Sequence, residues 1–294
     1  MSPSLKAPLQ IHFCVLLWGF TPILGKAIAM PALALVTWRM LLVAAILLLL
    51  PRVWRGLAAM PARLLRAYAA IGVIVSLHWF TFYAAIKLAN ASVAATCLAF
   101  APVFLALIEP FIAQRRPDLR ELVVALVAMP GVALVGGGLP QGMYTGFAVG
   151  VLSALLVAVF GSFNKRYVEQ ADSVVVTTIE LGVGGLFLAL LAPLFGGWGQ
   201  LVDVPASRDV LLLLVLVVFC TLAPFTIYLL ALRKLSAFAA QLSVNLEPLY
   251  AIILAALLFG EQRELGVSFY FGAAILLASV LIHPWLAQRA RGGY

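Results

Sequence analysis

A chain of 294 residues with 65% hydrophobic positions, 10% charged ones and a mean hydropathy of +1.13 has too little polar surface to coat a water-soluble globule. An integral membrane body remains, and the net charge of +8 then belongs in its loops and against lipid headgroups rather than in a nucleic-acid site. Cys14, Cys97 and Cys220 sit scattered in apolar runs without metal-like spacing, so they read as packing residues, with no metal and no cofactor expected.

Apolar stretches near the ~20 residues needed to cross ~30 Å of hydrocarbon follow one another along the chain. The first half supplies 8–29, 31–51, 66–87, 90–113 and 119–137. The second supplies 142–165, 173–196, 208–232, 236–259 and 266–287. The first stretch follows a short basic start at Lys6 and lacks a small-residue cleavage site, so it reads as a retained span. The expected fold is all-α, with ten transmembrane helices. Residues 1–138 form one five-helix repeat and 139–294 a second, within one transmembrane body.

Basic residues orient these spans, because short cytoplasmic loops collect Lys and Arg. With the N-terminus inside, the cytoplasmic segments hold Lys6, Arg52, Arg55, Arg63, Arg66, Arg115, Arg116, Arg120, Lys165, Arg166, Arg233, Lys234, Arg289 and Arg291. The external segments hold only Lys26, Lys87, Arg208 and Arg263. Both termini are therefore expected in the cytoplasm. An odd number of spans per half makes the second repeat start from the opposite face, so the repeats are inverted.

The repeat is also visible directly. At an offset of 146 residues Phe82 meets Tyr228, Ala85 meets Ala231, Lys87 meets Arg233, Pro102 meets Pro248 and Phe104 meets Tyr250. Helix-breaking residues at matching places in two repeats mark secondary transporters, whose interrupted helices surround a site near the bilayer midplane. Pro102 frees the carbonyl of Leu98 and Pro248 that of Val244, and each must find another partner or face water. The first span has a comparable break at Trp18-Gly19-Phe20-Thr21-Pro22, echoed in the sixth by Phe160-Gly161-Ser162-Phe163-Asn164. Gly19, Pro22, Pro102, Gly161 and Pro248 are thus candidate hinges, with a packed, immobile kink as the plain alternative.

Charge within a span costs roughly 2.5–3.5 kcal/mol on insertion scales, so Arg39, Glu109, Glu180 and Glu247 each need a reason. Glu109 lies near the basic loop 115–120 and is expected to pair there. Arg39 and Glu180 stand at equivalent points if Thr37 is matched to Thr178, which suits either a pair across the bundle or a watery cavity; local bonding near a helix end is the alternative. Glu247 stands in mid-span before Pro248, with Asn245 and Gln241 one and two turns earlier. These three charges are the candidates for a charge pair or for coupling to a proton. Candidate substrate-binding residues are Trp18, Trp38, His78, Trp79, Tyr83, Phe100, Asn164, Gln241 and Asn245. His78, Trp79 and Tyr83 belong to an aromatic and polar cluster two to three turns deep, where an interfacial aromatic belt is not expected. An aromatic pocket with few fixed charges suits amphipathic or apolar solutes.

The same residues resemble the drug/metabolite transporter superfamily, in its ten-helix EamA-like branch, over nearly the whole chain. The resemblance rests on Trp18-Gly19, on Ala91-Ser92-Val93-Ala94-Ala95 running to Pro102-Val103-Phe104, and on Leu246-Glu247-Pro248-Leu249 leading to Phe259-Gly260-Glu261. The chain looks especially like the aromatic amino-acid exporters of that branch. It departs from the pattern where the first repeat has Ala113-Gln114-Arg115 in place of Phe259-Gly260-Glu261. The resemblance implies export of a small-molecule substrate through a central cavity by alternating access. Its phosphate-carrying relatives use basic residues in late helices, and the ninth span here has none, which disfavours phosphorylated substrates. The expectation is therefore an inner-membrane exporter of amino acids, aromatic and other apolar ones preferred, with other amphipathic metabolites or drugs as the alternative. No H-E-x-x-H or G-x-S-x-G pattern suggests an enzyme. The sequence leaves the oligomeric state open, a monomer included.

Overall fold

The computed structural model describes residues 3–114, 116–203, 205–235, 240, 243–244 and 246–289, and among them the regular elements are all helical. Prolines set many of the boundaries. α1 (Pro3–Trp18) and α2 (Thr21–Ala27) form one crossing, parted at Gly19–Phe20 because Pro22 has no N–H to return to the Trp18 carbonyl. α3 (Ala32–Leu48) ends ahead of Pro51, where α4 (Pro51–Ala58) turns away by 93°. α4 keeps Val53 buried and exposes Arg52, Trp54 and Arg55, the pattern of a helix lying in the interface plane. The apolar pattern alone places that segment between two spans, as part of a cytoplasmic connection.

α5 (Ala62–Leu88) is unbroken, whereas α6 (Ala91–Leu98) and α7 (Ala101–Ala113) are parted at Ala99–Phe100 ahead of Pro102. α8 (Leu119–Gly137) closes the first repeat. The second runs through α9 (Tyr144–Tyr167), α10 (Ser173–Leu191), a short α11 (Gly199–Val202) and α12 (Ser207–Val217). A π-turn over Val218–Leu222 leads into α13 (Ala223–Leu232), followed by α14 (Glu247–Phe259) and α15 (Val267–Arg289). Among the described residues six helical segments are long and apolar enough to cross a membrane, and the bent α3–α4 pair is a seventh. The shorter apolar helices Glu121–Gly137, Glu247–Phe259 and Val267–Ser279 complete the ten.

The outside of the bundle is apolar and the inside holds charge, the reverse of a soluble protein. Leu49, Phe111 and Leu257 are 80%, 82% and 78% exposed, while Arg39, Glu180 and Glu247 are buried. Packing interlocks the repeats: α3 lies on its counterpart α10, the α6 half-helix on α14, and α8 on α15. α5 is held by α9 and α10, while its counterpart α12–α13 is held by α1 and α3. Lipid is as apolar as leucine, so these contacts depend on close approach rather than on burial from water. Small residues supply it. A Cβ on Gly131 would stand 2.9 Å from the Gly272 carbonyl oxygen, and one on Gly272 would stand 2.6 Å from that of Gly131.

The α5–α10 crossing is equally tight, since a Cβ on Gly184 would lie 2.5 Å from the Gly72 carbonyl oxygen and one on Gly72 would lie 2.8 Å from the Cα of Glu180. Gly72→Val must therefore push backbone apart at a cost of about 1–3 kcal/mol. The expected outcome is a lower midpoint of thermal unfolding in detergent, with Gly142→Ala unchanged because nothing lies within 4 Å of that position. An unshifted midpoint for Gly72→Val would mean that α5 and α10 separate without cost.

Candidate functional site: a ring-lined cavity between the repeats

The interlocked repeats leave a cavity at their junction. The first contributes Trp18, Thr21, Arg39, His78, Trp79, Phe82 and Leu98, and the second Val157, Phe160, Phe225, Tyr228, Val244 and Glu247. About 70 Å³ of it admits the centre of a water-sized sphere, several times the roughly 10–15 Å³ that one water needs. Its walls are ring pairs that cross from one repeat to the other. Trp18 meets Tyr228 with centroids 5.4 Å apart, Trp79 meets Phe225 edge-on at 5.9 Å, and His78 meets Phe160 at 5.3 Å.

Much of the lining consists of repeat mates. Trp79 and Phe225, Phe82 and Tyr228, and Leu98 and Val244 each stand 146 residues apart, and Trp18 and Phe160 are the matched positions of the first and sixth spans. Leu98 and Val244 are also the residues whose carbonyls Pro102 and Pro248 release. Phe225, Tyr228 and Val157 escaped sequence reading. Carrying His78 to Tyr83 across the repeat would have found the first two, since that operation lands on Pro224 to Leu229.

Arg39 is 2% exposed and its guanidinium is held on three sides. Its Nε donates to Thr221 Oγ1 at 2.7 Å, Nη1 to the Tyr83 hydroxyl at 2.8 Å and Nη2 to the Cys220 carbonyl at 3.1 Å. Its face lies 4.0 Å from the Trp79 ring centroid. The chain prepares this site locally. Pro224 has no N–H for the carbonyl four residues earlier, which is that of Cys220, so a backbone acceptor stands open for Arg39. The π-turn at the same place lets the Thr221 hydroxyl donate to the Leu216 carbonyl at 2.8 Å while accepting from Arg39.

His78 is fixed just as firmly. Its Nδ1 lies 2.9 Å from the Ser153 carbonyl oxygen, which can only accept, so Nδ1 carries a proton and donates there. The Ser153 hydroxyl lies 2.8 Å from Nδ1 and donates to the His78 carbonyl at 3.0 Å. Glu247, the first residue of α14, completes the polar lining.

Several residues expected at the site stand elsewhere. Trp38 faces outward, 38% exposed, and its Nε1 donates to the Leu201 carbonyl at 2.8 Å. Phe100 packs edge-on against Phe147, with centroids 6.0 Å apart. Tyr83 is fully buried behind the cavity as a partner of Arg39. Asn164 donates to Glu180 Oε2 at 3.3 Å, away from the lining, so Arg39 and Glu180 do not pair: each already has partners in its own neighbourhood. Gly161 lies within an unbroken α9, since the sixth span has no proline to match Pro22. Gln241 and Asn245 lie outside the described residues. Gly19, Pro22, Pro102 and Pro248 do stand at helix breaks.

The two ends of the bundle are closed by opposite chemistry. Around Lys26, Glu261 is wholly buried and accepts at 3.1 Å from the Ala91 N–H, at 2.8 Å from the Ser92 N–H and at 2.6 Å from the Ser92 hydroxyl. Its other partner is the Lys26 ammonium at 2.7 Å. A carboxylate on the N-terminus of α6 satisfies N–H groups that have no intrahelical partner. Beside it, Asn90 caps Val93 at 2.9 Å and donates to Glu264 at 2.9 Å. At the opposite end, cations meet helix C-termini: Arg166 donates to the Ile112 carbonyl at 3.0 Å and Lys165 to that of Leu232 at 2.9 Å.

Removing the charge in Glu261→Gln weakens the cap and the ion pair together. It is expected to cost about 1–2 kcal/mol, read as a lower thermal midpoint in detergent. Lys26→Met costs less, because its ammonium is partly exposed and the carboxylate keeps its three bonds to α6. Equal losses for the two variants would assign the closure to the ion pair rather than to the helix cap.

Comparison with known proteins agrees with this architecture. A solved crystal structure of a protein superposes with a TM-score of 0.70 over 98% of this chain and 99% of its own, at 18% identity, which is a likeness of fold. No curated protein matches the chain. The EamA-like transporter family matches twice, over residues 5–137 and 144–283, one match to each run of five crossings. With nearly all of its length accounted for in this way, the chain belongs to the EamA-like transporter family of multi-pass membrane proteins.

Proposed function

We propose that the protein exports amino acids with aromatic or other apolar side chains across the inner membrane by alternating access. Its termini lie in the cytoplasm and its Lys26 end faces outward. The observation that carries the substrate class is the cavity lining, in which Trp18, Trp79, Phe82, Phe160, Phe225 and Tyr228 surround a space that also holds Arg39, His78 and Glu247. Rings offer stacking and edge contacts to a planar apolar side chain, and the polar group of such a solute needs fixed partners once it leaves water. The transport cycle follows from the repeat. Mates in the lining keep an aromatic surface on both sides of the solute while the two repeats rock about the breaks at Gly19–Phe20, Ala99–Phe100 and Pro248.

Reconstituted protein should accumulate labelled phenylalanine in liposomes, with tryptophan competing and a quaternary ammonium drug failing to compete. His78→Ala removes a wall of the cavity together with the Ser153 bonds, and should reduce that flux at least tenfold, because a positioned donor or acceptor at a binding site is worth on the order of 1.4 kcal/mol or more. Transport of amphipathic drugs with no flux of any amino acid would overturn the amino-acid assignment and favour the drug-exporter reading.

A further inference from the structure

The cavity departs from the symmetry of its scaffold at its polar groups. The ring and aliphatic lining is shared between repeat mates, but Glu247 stands where the first repeat has Ala101, His78 where the second has Pro224, and Arg39 has as its mate Glu180, which lies outside the lining. The scaffold therefore does not require these polar groups, and each carries the cost of desolvation inside a bilayer. Arg39 has five N–H donors and spends three on Thr221, Tyr83 and Cys220, leaving one on Nη1 and one on Nη2. With its face covered by Trp79, the free edge is what a solute meets. No direct ion pair joins Arg39 to Glu247, although both line the same cavity. Two opposite charges held apart in a space lined with rings match a molecule that carries an anion, a cation and an aromatic group together.

We infer that Arg39 and Glu247 form a zwitterion clamp. The free N–H pair of Arg39 takes the α-carboxylate of an amino acid, Glu247 takes its α-ammonium, and the ring walls take the side chain. This rests on the amino-acid reading above and adds which residues recognise the backbone part common to all amino acids. The clamp also orients the solute. Because Arg39 is fixed on α3 by bonds to α5 and the π-turn, it acts as a stationary anchor. Glu247 sits beside Pro248 at the start of α14 and is the partner that moves when that break bends.

Three probes test this in proteoliposomes: phenylalanine, phenethylamine, which lacks the carboxylate, and 3-phenylpropionate, which lacks the ammonium. With wild-type protein, neither analogue should compete with labelled phenylalanine at a tenfold excess. Glu247→Gln keeps the shape of the side chain and should weaken phenylalanine about ten- to a hundredfold, the worth of one charge-assisted hydrogen bond. In the same variant 3-phenylpropionate should then compete as well as phenylalanine does. Arg39→Lys keeps the charge but not the fork, and should weaken phenylalanine while sparing phenethylamine. Wild-type protein that accepts either analogue as readily as phenylalanine overturns the clamp and leaves the exporter reading intact. So does a Glu247→Gln variant with an unchanged ranking of the three probes. Absence of phenylalanine transport by the wild type instead overturns the amino-acid reading itself, and the clamp with it.

Discussion

A carbonyl that loses its N–H partner inside a bilayer has no water to replace it, and the site in this protein is organised around how such carbonyls are met. Pro224 opens the Cys220 carbonyl, and Arg39 fills the vacancy while Thr221 and Tyr83 take its other donors. The guanidinium thus reaches a depth at which an unpaired charge would be costly, and it arrives with a fixed orientation. Pro102 and Pro248 do the same at Leu98 and Val244, but there the freed segments border the cavity instead of being bonded by a cation. Proline in this chain, besides breaking helices, places backbone acceptors where a helix would otherwise consume them.

Symmetry and its violation then divide the work. The pairs Trp79 and Phe225, Phe82 and Tyr228, and Leu98 and Val244 give both repeats equivalent surfaces, so a solute meets similar walls from either side. Arg39, His78 and Glu247 break the equivalence and give the cavity a direction. The proposed cycle needs matched packing on the two sides, whereas the proposed recognition of an asymmetric molecule needs unmatched polar groups, and the lining holds both in different residue types.

The fold was legible because membrane physics leaves few options: ten apolar stretches, a loop charge bias and a repeat of prolines led to the all-helical, two-repeat bundle. Cavity-lining positions were legible where the repeat and depth agreed, as for Trp18, His78 and Trp79. Trp38 misled because a tryptophan in an apolar helix looks the same from sequence whether its ring meets a cavity or lipid, and strands of a hydrophobic pattern that is apolar all round carry no face information. The Arg39–Glu180 pairing misled for a related reason. Equivalence in an inverted repeat places two residues at matching points of two helices, which says nothing about contact between them. Pro224 was overlooked because its mate is His78, so no matching proline drew attention to it.

The turn after α7 shows how far the scaffold outlasts its sequence. Gly260 and Gln114 stand 146 residues apart, and both adopt the left-handed conformation, with φ of 69° and 53°. Glycine takes that conformation freely, while a glutamine there costs roughly 1 kcal/mol. The first repeat therefore has the same backbone turn without the residue that favours it and without the carboxylate that follows. What differs is the chemistry beyond the turn. In the second repeat Glu261 reaches the N-terminus of α6 and Lys26, so separating the bundle at that end must expose four hydrogen-bonded groups at once. The opposite end is held by Arg166 on the Ile112 carbonyl and by Lys165 on the Leu232 and Arg233 carbonyls, long side chains that can stay bonded while their anchor points shift. Equal architecture with unequal latches makes the two ends differ in what it takes to open them, and under the alternating access proposed above a ligand has to supply that difference through its own contacts in the cavity.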